Sequence, residues 1–214
     1  MSRRVLITAG PTREPIDAVR YLSNRSSGAL GVALANAAAQ AGHDVTLLLG
    51  PVDSAVAERV DGTVTVERFE TTAELQALLR DHFPHCALLI MAAAVADYRL
   101  AESETQDGKR ERRGDWTLRF EATPDLVAGC ASNKRDGQRV VAFALEHPVQ
   151  LEARATQKMQ RKGVDAIVAN PLETMDAEAI DAVLLTADGQ REVPGAMSKL
   201  AFAAWIIERL AELF

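Results

Sequence analysis

The sequence predicts an α/β protein with a doubly wound, mostly parallel sheet and helices on both faces. Three observations carry this. Short apolar runs at 5–8 (VLIT), 44–49 (DVTLLL) and 87–94 (ALLIMAAA) alternate with longer stretches of helical periodicity. The first and last of these runs are apolar at nearly every position, as a strand covered on both faces requires. Polar, glycine-containing segments follow the strand ends. That is the arrangement of a Rossmann-like sheet, whose ligands sit beyond the carboxyl ends of its strands.

The first strand, at 5–8, ends in the turn Gly10-Pro11-Thr12. Residues 26–41 (SSGALGVALANAAAQA) are small and Ala-rich, which predicts a helix with Ser26 as N-cap and Gly42 as its stop. A strand at 44–49 is closed by Gly50-Pro51. Val64 and Val66 alternate with Thr65 and Glu67, a half-buried strand over 63–69. A helix over 71–83, capped by Thr72, carries Leu75, Leu78 and Leu79 on one face, and the run at 87–94 reads as a central strand. Residues 101–115 (AESETQDGKRERRGD) are charged without periodicity and predict one long, mobile, lid-like loop. Residues 117–120 alternate as a strand in search of a neighbour. A strand at 139–144, a helix at 151–162 and a strand at 165–169 follow. A hairpin over 182–193 turning at Ala187-Asp188-Gly189 and an apolar amphipathic helix from Lys199 to Leu213 complete a single domain, 1–214, without repeats.

Composition narrows the class. The chain has 214 residues with 24 Lys and Arg against 30 Asp and Glu, a net charge of −6. A mixed, mildly acidic surface argues against a protein that coats nucleic acid, though a local basic cluster can still hold a small anion. Cys86 and Cys130 sit in separate segments with no CxxC spacing and no flanking His cluster, so they read as core residues of a reduced cytoplasmic protein. The N-terminus MSRRVLITAG is too short in apolar residues for a signal peptide, and no stretch approaches the ~20 residues of a membrane span. A soluble, cytoplasmic protein is expected.

Three polar segments follow predicted strands and converge on one mouth. The first comprises Gly10-Pro11-Thr12-Arg13-Glu14 and then Arg20-Tyr21-Leu22-Ser23-Asn24-Arg25-Ser26-Ser27-Gly28, which opens the Ala-rich helix. Free N–H groups, two hydroxyls and a glycine suit a phosphate, although the same pattern serves capping and close helix–sheet packing. The second is Ala92-Ala93-Ala94-Val95-Ala96-Asp97. Its small residues let a flat ligand approach the backbone, and Asp97 is placed for a base edge, a ribose hydroxyl or magnesium, or simply to start a turn. The third, Lys109-Arg110-Glu111-Arg112-Arg113, puts four cations in five residues on the charged loop, either a solvated face or a lid over phosphate. Lys158 and Lys162 share a helix face at i, i+4, where interaction with the helix dipole is the plainer account. Asn170 completes the mouth. The four histidines show no metal-ligand spacing. A nicotinamide oxidoreductase is disfavoured, because the second strand ends Leu49-Gly50-Pro51 and offers no acid for the ribose.

These segments together resemble a known family. ITAGPTREPIDAVRYLSNRSSGALG at 7–31, AAAVADYR at 92–99, TPDLV at 123–127, AFALE at 142–146 and QKMQRKGVDAIVAN at 157–170 match, in order, the motifs of phosphopantothenoylcysteine synthetase. The resemblance covers essentially the whole chain and looks like the stand-alone form, without the flavin-dependent decarboxylase. It implies a CTP-dependent ligase, with ATP as the alternative nucleotide, that joins 4′-phosphopantothenate to cysteine through an acyl-cytidylate. Magnesium would ride on the triphosphate, and no flavin is expected.

Carried over by position, Asn24 is implied to contact substrate and the acyl-nucleotide, and Arg20 to bind substrate near a homodimer interface. Asp97, Phe143, the run Pro124-Asp125-Leu126-Val127 and the pair Lys158 and Lys162 are implied to bind nucleotide. The family's loop usually reads KxKK; here Lys109 retains the first lysine, while Arg112 or Arg110 replaces another. Arginine keeps the charge but offers a planar fork in place of a point charge. The usual GFAAET reads AFALEH at 142–147. The alternative reading is a non-catalytic nucleotide- or phosphopantothenate-binding relative that partners a separate decarboxylase.

Overall fold

A computed structural model describes residues 2–104, 108, 109, 111, 114–174, 177 and 179–213. In chain order it contains β1 (Arg4–Ala9), β2 (Arg13–Pro15), β3 (Tyr21–Ser23), α1 (Ala29–Gln40), β4 (Asp44–Leu49), the single turn α2 (Ser54–Ala57), β5 (Thr65–Arg68) and α3 (Thr72–His82). There follow β6 (Leu88–Met91), β7 (Tyr98–Leu100), β8 (Phe120–Ala122), α4 (Leu126–Ser132), β9 (Arg139–Glu146), α5 (Leu151–Lys162) and β10 (Ala166–Pro171). The chain closes with β11 (Ala179–Ile180), β12 (Val183–Thr186), β13 (Arg191–Glu192), β14 (Met197–Ser198) and α6 (Lys199–Leu213).

The central sheet runs β13-β12-β10-β9-β6-β1-β4-β5. From β10 to β5 every neighbour is parallel, while β12 and β13 add an antiparallel edge. Winding starts at β1, proceeds outward through β4 and β5, then returns to β6 on the other side of β1. Winding reverses at β1, and sheets of this kind take ligands beyond the carboxyl ends of the strands around that reversal.

Side-chain alternation sorts the core into two layers, as the period of two in a strand dictates. Val5, Ile7 and Ala9 of β1 face α1 and α6, joined by Leu34, Phe202 and Ile206. Leu6 points the other way, with Leu89, Val140 and Ile167, against Leu75 of α3, Cys130 of α4 and Met159 of α5. A fully buried leucine such as Leu34 or Leu89 contributes on the order of 2 kcal/mol by leaving water. At Gly31 of α1 a Cβ would stand 2.3 Å from Ala9 Cβ, so the helix lies directly on β1. Both cysteines are free and buried, as their spacing predicts. Among the described residues no helix is long and apolar enough to cross a membrane.

Several boundaries differ from the expectation, each for a local reason. The Ala-rich helix begins at Ala29, not Ser26: its cap is Gly28 in the left-handed region (φ 74°), which no helical residue occupies. Thr71, not Thr72, caps α3 through a reciprocal box with Glu74, and the Thr72 hydroxyl donates instead to buried Glu14 at 2.6 Å. The central strand stops at Met91 because the following small residues turn toward the β1 exit. The strand expected at 117–120 forms at 120–122 and pairs with β7, outside the main sheet. The β2–β3 ribbon and α4 have no counterpart in the elements the sequence predicts. Six loop residues expected to carry the lid (105–107, 110, 112 and 113) lie outside the described residues.

Candidate active site at the carboxyl edge of the sheet

β6 and β9 pair only as far as Met91 and Ala142, whereas β9 continues beside β10 to Glu146 and Pro171. The sheet therefore opens between residues 92–97 and 143–146. The exit of β6 is fixed on its other side. The Thr8 hydroxyl accepts from Ala93 N–H at 3.1 Å, and buried Thr12 accepts from Ala96 N–H at 2.9 Å. Ala94 N–H donates to Gly10 C=O (2.9 Å) and Thr12 N–H to Ala94 C=O (3.2 Å). Ala93 is thus held at the mouth, as its position after the strand predicts.

Asn24 joins this frame. Its Nδ2 donates to Ala94 C=O and Val95 C=O, both at 3.1 Å, which ties the segment before α1 to the β6 exit. The Ser26 and Ser27 hydroxyls accept from Gly28 N–H (3.3 Å) and Ala29 N–H (3.4 Å). They sit beside the first donors of α1 without capping it in the usual way. Gly28 is required twice over: its φ is positive, and a Cβ there would meet Val52 Cγ1 at 2.6 Å and Gly10 Cα at 3.2 Å. The helix N-terminus, Gly10 and Asn24 accordingly form one rigid lip.

The opposite lip is pinned by Thr123, whose N–H donates to Asp97 C=O (3.0 Å) and whose hydroxyl donates to Ala96 C=O (2.5 Å). This brings Pro124 and Asp125 beside exposed Asp97. Asp125 caps α4, accepting from Ala128 N–H at 3.1 Å, while Leu126 and Val127 pack into the core below. α5 runs back antiparallel to β9 and β10, and helical side chains lean toward their own N-terminus. Lys158 and Lys162 therefore reach up toward the carboxyl edge. Lys162 Nζ lies 2.6 Å from Asp125 and Lys158 Nζ 2.5 Å from Glu146. Asn170, at the end of β10, is buried with its Oδ1 lacking a hydrogen-bond donor.

Arg20 stands at the tip of a tight turn. Asp17 accepts from Val19 N–H and Arg20 N–H, both at 2.9 Å, and its carboxylate lies 3.4 Å from the Arg20 guanidinium. The guanidinium lies over Trp116, 5.4 Å from the ring centroid, and Ala18 N–H donates to Gly108 C=O at 3.3 Å. Gly108 in the middle of the charged segment and Trp116 just past its end thus both meet the 16–20 turn, and exposed Lys109 follows Gly108 directly. Arg112, the other loop residue singled out, is outside the described residues.

The structure brings Gly10, Asn24, Ser26, Ser27, Gly28, Ala93 and Asp97 to one lip and Pro124, Asp125, Lys158 and Lys162 to the other. Phe143 is the first β9 residue past the last β6 pairing, but its ring packs with the α1–α6 layer. It approaches the opening from the opposite side of the sheet to the lysines. Sequence reasoning quoted Thr12, Thr123 and Glu146 only as members of motifs and gave none of them, nor Thr8, a role. The available signal for Glu146 was a charged residue ending a run of apolar β9, followed by Arg154 and Lys158 at helical spacing.

Comparison with known proteins places this geometry. The family described as the DNA/pantothenate metabolism flavoprotein C-terminal domain matches over residues 1–214. A protein from an unknown prokaryotic organism named cysteine/cysteine sulfinic acid decarboxylase is 41% identical over 172 residues, 80% of this chain and 46% of its own. The coenzyme A biosynthesis bifunctional protein CoaBC of Escherichia coli K12 is 39% identical over 199 residues, 89% of this chain and 47% of its own. The chain spans about half the length of the curated relatives it matches. The crystal structure of the C-terminal domain of a CoaBC protein superposes with a TM-score of 0.82 at 29% identity, covering 99% of this chain and 95% of that one.

Proposed function

Because the chain belongs to the DNA/pantothenate metabolism flavoprotein C-terminal domain family, we propose that it is a phosphopantothenate–cysteine ligase of coenzyme A biosynthesis. A carboxylate oxygen of 4′-phosphopantothenate attacks the α-phosphorus of a nucleoside triphosphate, CTP by preference, and pyrophosphate leaves. The cysteine amine then attacks the acyl carbon, and the nucleoside monophosphate leaves as the amide forms. The observation that carries this reading is the pair Lys158 and Lys162, directed from one helix face toward the opening that Asn24 and Asp97 border from the other lip. Two ammonium groups suit a polyphosphate, and the donors at the start of α1 suit a further phosphate. Asn24, anchored through Nδ2, is the substrate and acyl-nucleotide contact, and Phe143 and the 124–127 run border the nucleotide. Lys109 and Arg112 are the loop cations that close over the reacting phosphates, where positive charge lowers the barrier to transfer.

Magnesium fits as an ion carried on the triphosphate. Among the described residues no three acidic, histidine or cysteine side chains group as a metal site, and this ion commonly takes only one or two protein carboxylates beside phosphate oxygens. Exposed Asp97 is the residue that would meet it; when bound, it neutralises phosphate charge. No flavin enters the reaction. A homodimer is favoured by Val19, Tyr21, Leu22, Tyr98 and Phe120, large apolar side chains exposed on the neighbouring β2–β3 and β7–β8 ribbons. A separate decarboxylase is the natural partner, since the relatives are named as bifunctional or as decarboxylases. Buried free cysteines and the acidic balance suit the cytoplasm.

The test is pyrophosphate release from purified protein with 4′-phosphopantothenate, magnesium and CTP or ATP, with and without cysteine. Phosphopantothenate-dependent release with CTP, and amide formation once cysteine is added, is the expected result. Silence with both nucleotides, beside thermal stabilisation by CTP, would instead establish the non-catalytic binding relative that the KRERR loop sequence favours. An Arg112→Lys variant that gains activity would point to the same loop.

A further inference from the structure

Glu146 is the buried acid of the AFALE motif, to which the reading of the sequence gives no role. It ends β9 with its side chain 5% exposed, between exposed Leu145 and exposed His147. Two cations of α5, four residues apart, converge on it: Lys158 Nζ at 2.5 Å from Oε1 and Arg154 at 4.0 Å from Oε2. Removing a carboxylate from water is costly, and a buried ion pair seldom adds stability beyond that of an apolar pair in the same space. α5 already docks through Ala155 and Met159, both buried. Stability therefore does not account for the acid.

What the pair does is fix an otherwise flexible ammonium. The Lys158 side chain is 39% exposed, so its ammonium meets Glu146 on one side and remains open to solvent on another. An ammonium has three N–H donors, and the contact with Glu146 leaves donors for a ligand. Lys162 is held differently: its partner Asp125 is 41% exposed and is also committed to capping α4. Asp125 can follow Lys162 or release it, whereas Glu146 is buried, 5% exposed, with Lys158 and Arg154 as its charged neighbours. We propose that Glu146 is a positioning residue that aims the Lys158 ammonium at the polyphosphate of the nucleotide. This rests on the reading of Lys158 as a nucleotide contact.

The experiment compares Glu146→Gln, Glu146→Asp, Lys158→Met and the double variant Glu146→Gln/Lys158→Met in steady-state assays, with melting curves in the presence and absence of CTP. Misaiming one charge-assisted contact should raise the nucleotide KM of Glu146→Gln about tenfold, with kcat within about threefold and the phosphopantothenate and cysteine KM values unchanged. Glu146→Asp should recover most of the loss, and Glu146→Gln should add nothing in the Lys158→Met background. CTP should raise the melting temperature of Glu146→Gln less than that of the parent. A nucleotide KM that is unchanged or lower in Glu146→Gln, while Lys158→Met raises it, overturns the proposal and leaves Lys158 as a contact. A Lys158→Met variant with unchanged nucleotide KM removes the underlying reading and the proposal with it. If Glu146→Gln does not fold, Glu146→Asp carries the test. A defect spread over all three substrates then marks a structural acid and overturns the proposal, whereas one confined to nucleotide supports it.

Discussion

Lys162 Nζ bridges both carboxylate oxygens of Asp125, at 2.7 and 2.6 Å, so the last turn of α5 is tied to the cap of α4. Burial pushes the Asp125 carboxyl upward. The Lys162 hydrogen bond, the Ala128 N–H and the charges of Lys162 and Arg161 outweigh it and hold the group below its ordinary value. A carboxyl depressed on folding stabilises fully above its unfolded value of about 4, and that contribution fades as pH falls through the folded value. Asparagine caps a helix as well as aspartate does, so Asp125→Asn isolates the charge. With the pair partly in solvent, the loss at pH 7 should be about 0.5 kcal/mol, or about 1–2 °C in melting temperature. Melting curves from pH 7 to pH 2.5 should show the gap to the parent closing below about pH 4. A gap independent of pH would count against the ion pair. Asp125→Ala should cost about 1 kcal/mol more at every pH, through the lost cap.

Two glycines in helices should respond with opposite sign. A Cβ at Gly31 meets Ala9 Cβ at 2.3 Å and Ala9 Cα at 3.0 Å, inside a fully buried layer. Gly31→Ala must lift α1 from β1 and should cost about 1–3 kcal/mol in urea unfolding. Gly129, inside α4, has open space where a Cβ would stand, with nothing within 4 Å. Gly129→Ala should stabilise by about 0.5–1 kcal/mol, by restricting the unfolded chain and favouring helix. Equal effects at the two sites would contradict the close α1–β1 approach.

These packing relations also explain what the sequence made legible. β1, β6 and β10 were readable because strands buried on both faces must be apolar at successive positions, and their short length between flanking polar segments separates them from buried helices. The β2–β3 and β7–β8 ribbons were not. Each strand has three residues, mostly polar or exposed, and their pairing comes from loop contacts such as Asn24 Nδ2 to Ala94 C=O. The rule that polar segments after parallel strands converge gathered Asn24, Asp97 and Ser26, and Asn24 does meet the β6 exit, at Ala94 and Val95 C=O. The buried partners escaped it. Thr12 and Glu146 matter through hydrogen bonds or charge contacts across 84 and 12 residues, and no local period encodes those.

The two thiols should be inert in the folded protein. Burial pushes Cys86 up to about 12, with the neighbouring Cys130 adding to the shift, and it pushes Cys130 up to about 11. Only the thiolate reacts. At pH 8 a thiol-specific chromogenic reagent should label neither cysteine on the timescale of a free thiol, and both should react after denaturation. Fast labelling of one thiol per chain in native buffer would show that the α3–α4 layer opens.

Arg20 and Trp116 offer an optical report on the 16–20 turn and the charged segment beside it. Removing the guanidinium from the indole face forfeits about 0.5–1 kcal/mol of cation–π attraction and uncovers the ring. The chain has two tryptophans, and Trp205 stacks near Phe202 in α6 with centroids 5.6 Å apart. A Trp205→Phe background therefore isolates Trp116. In that background Arg20→Ala should shift emission to the red. If Arg20 leaves the ring to meet the phosphopantothenate phosphate, titration with that substrate should give the same red shift in the parent, saturably, and none in Arg20→Ala. The phosphopantothenate KM should rise about tenfold in Arg20→Ala, and less in Arg20→Lys, which keeps the charge but loses the planar fork. Nucleotide KM should stay constant, because Lys158 and Lys162, not Arg20, are the cations proposed to meet the nucleotide. An emission spectrum unmoved by substrate, together with an unchanged phosphopantothenate KM, would reduce the Arg20–Trp116 contact to a clasp for the charged loop.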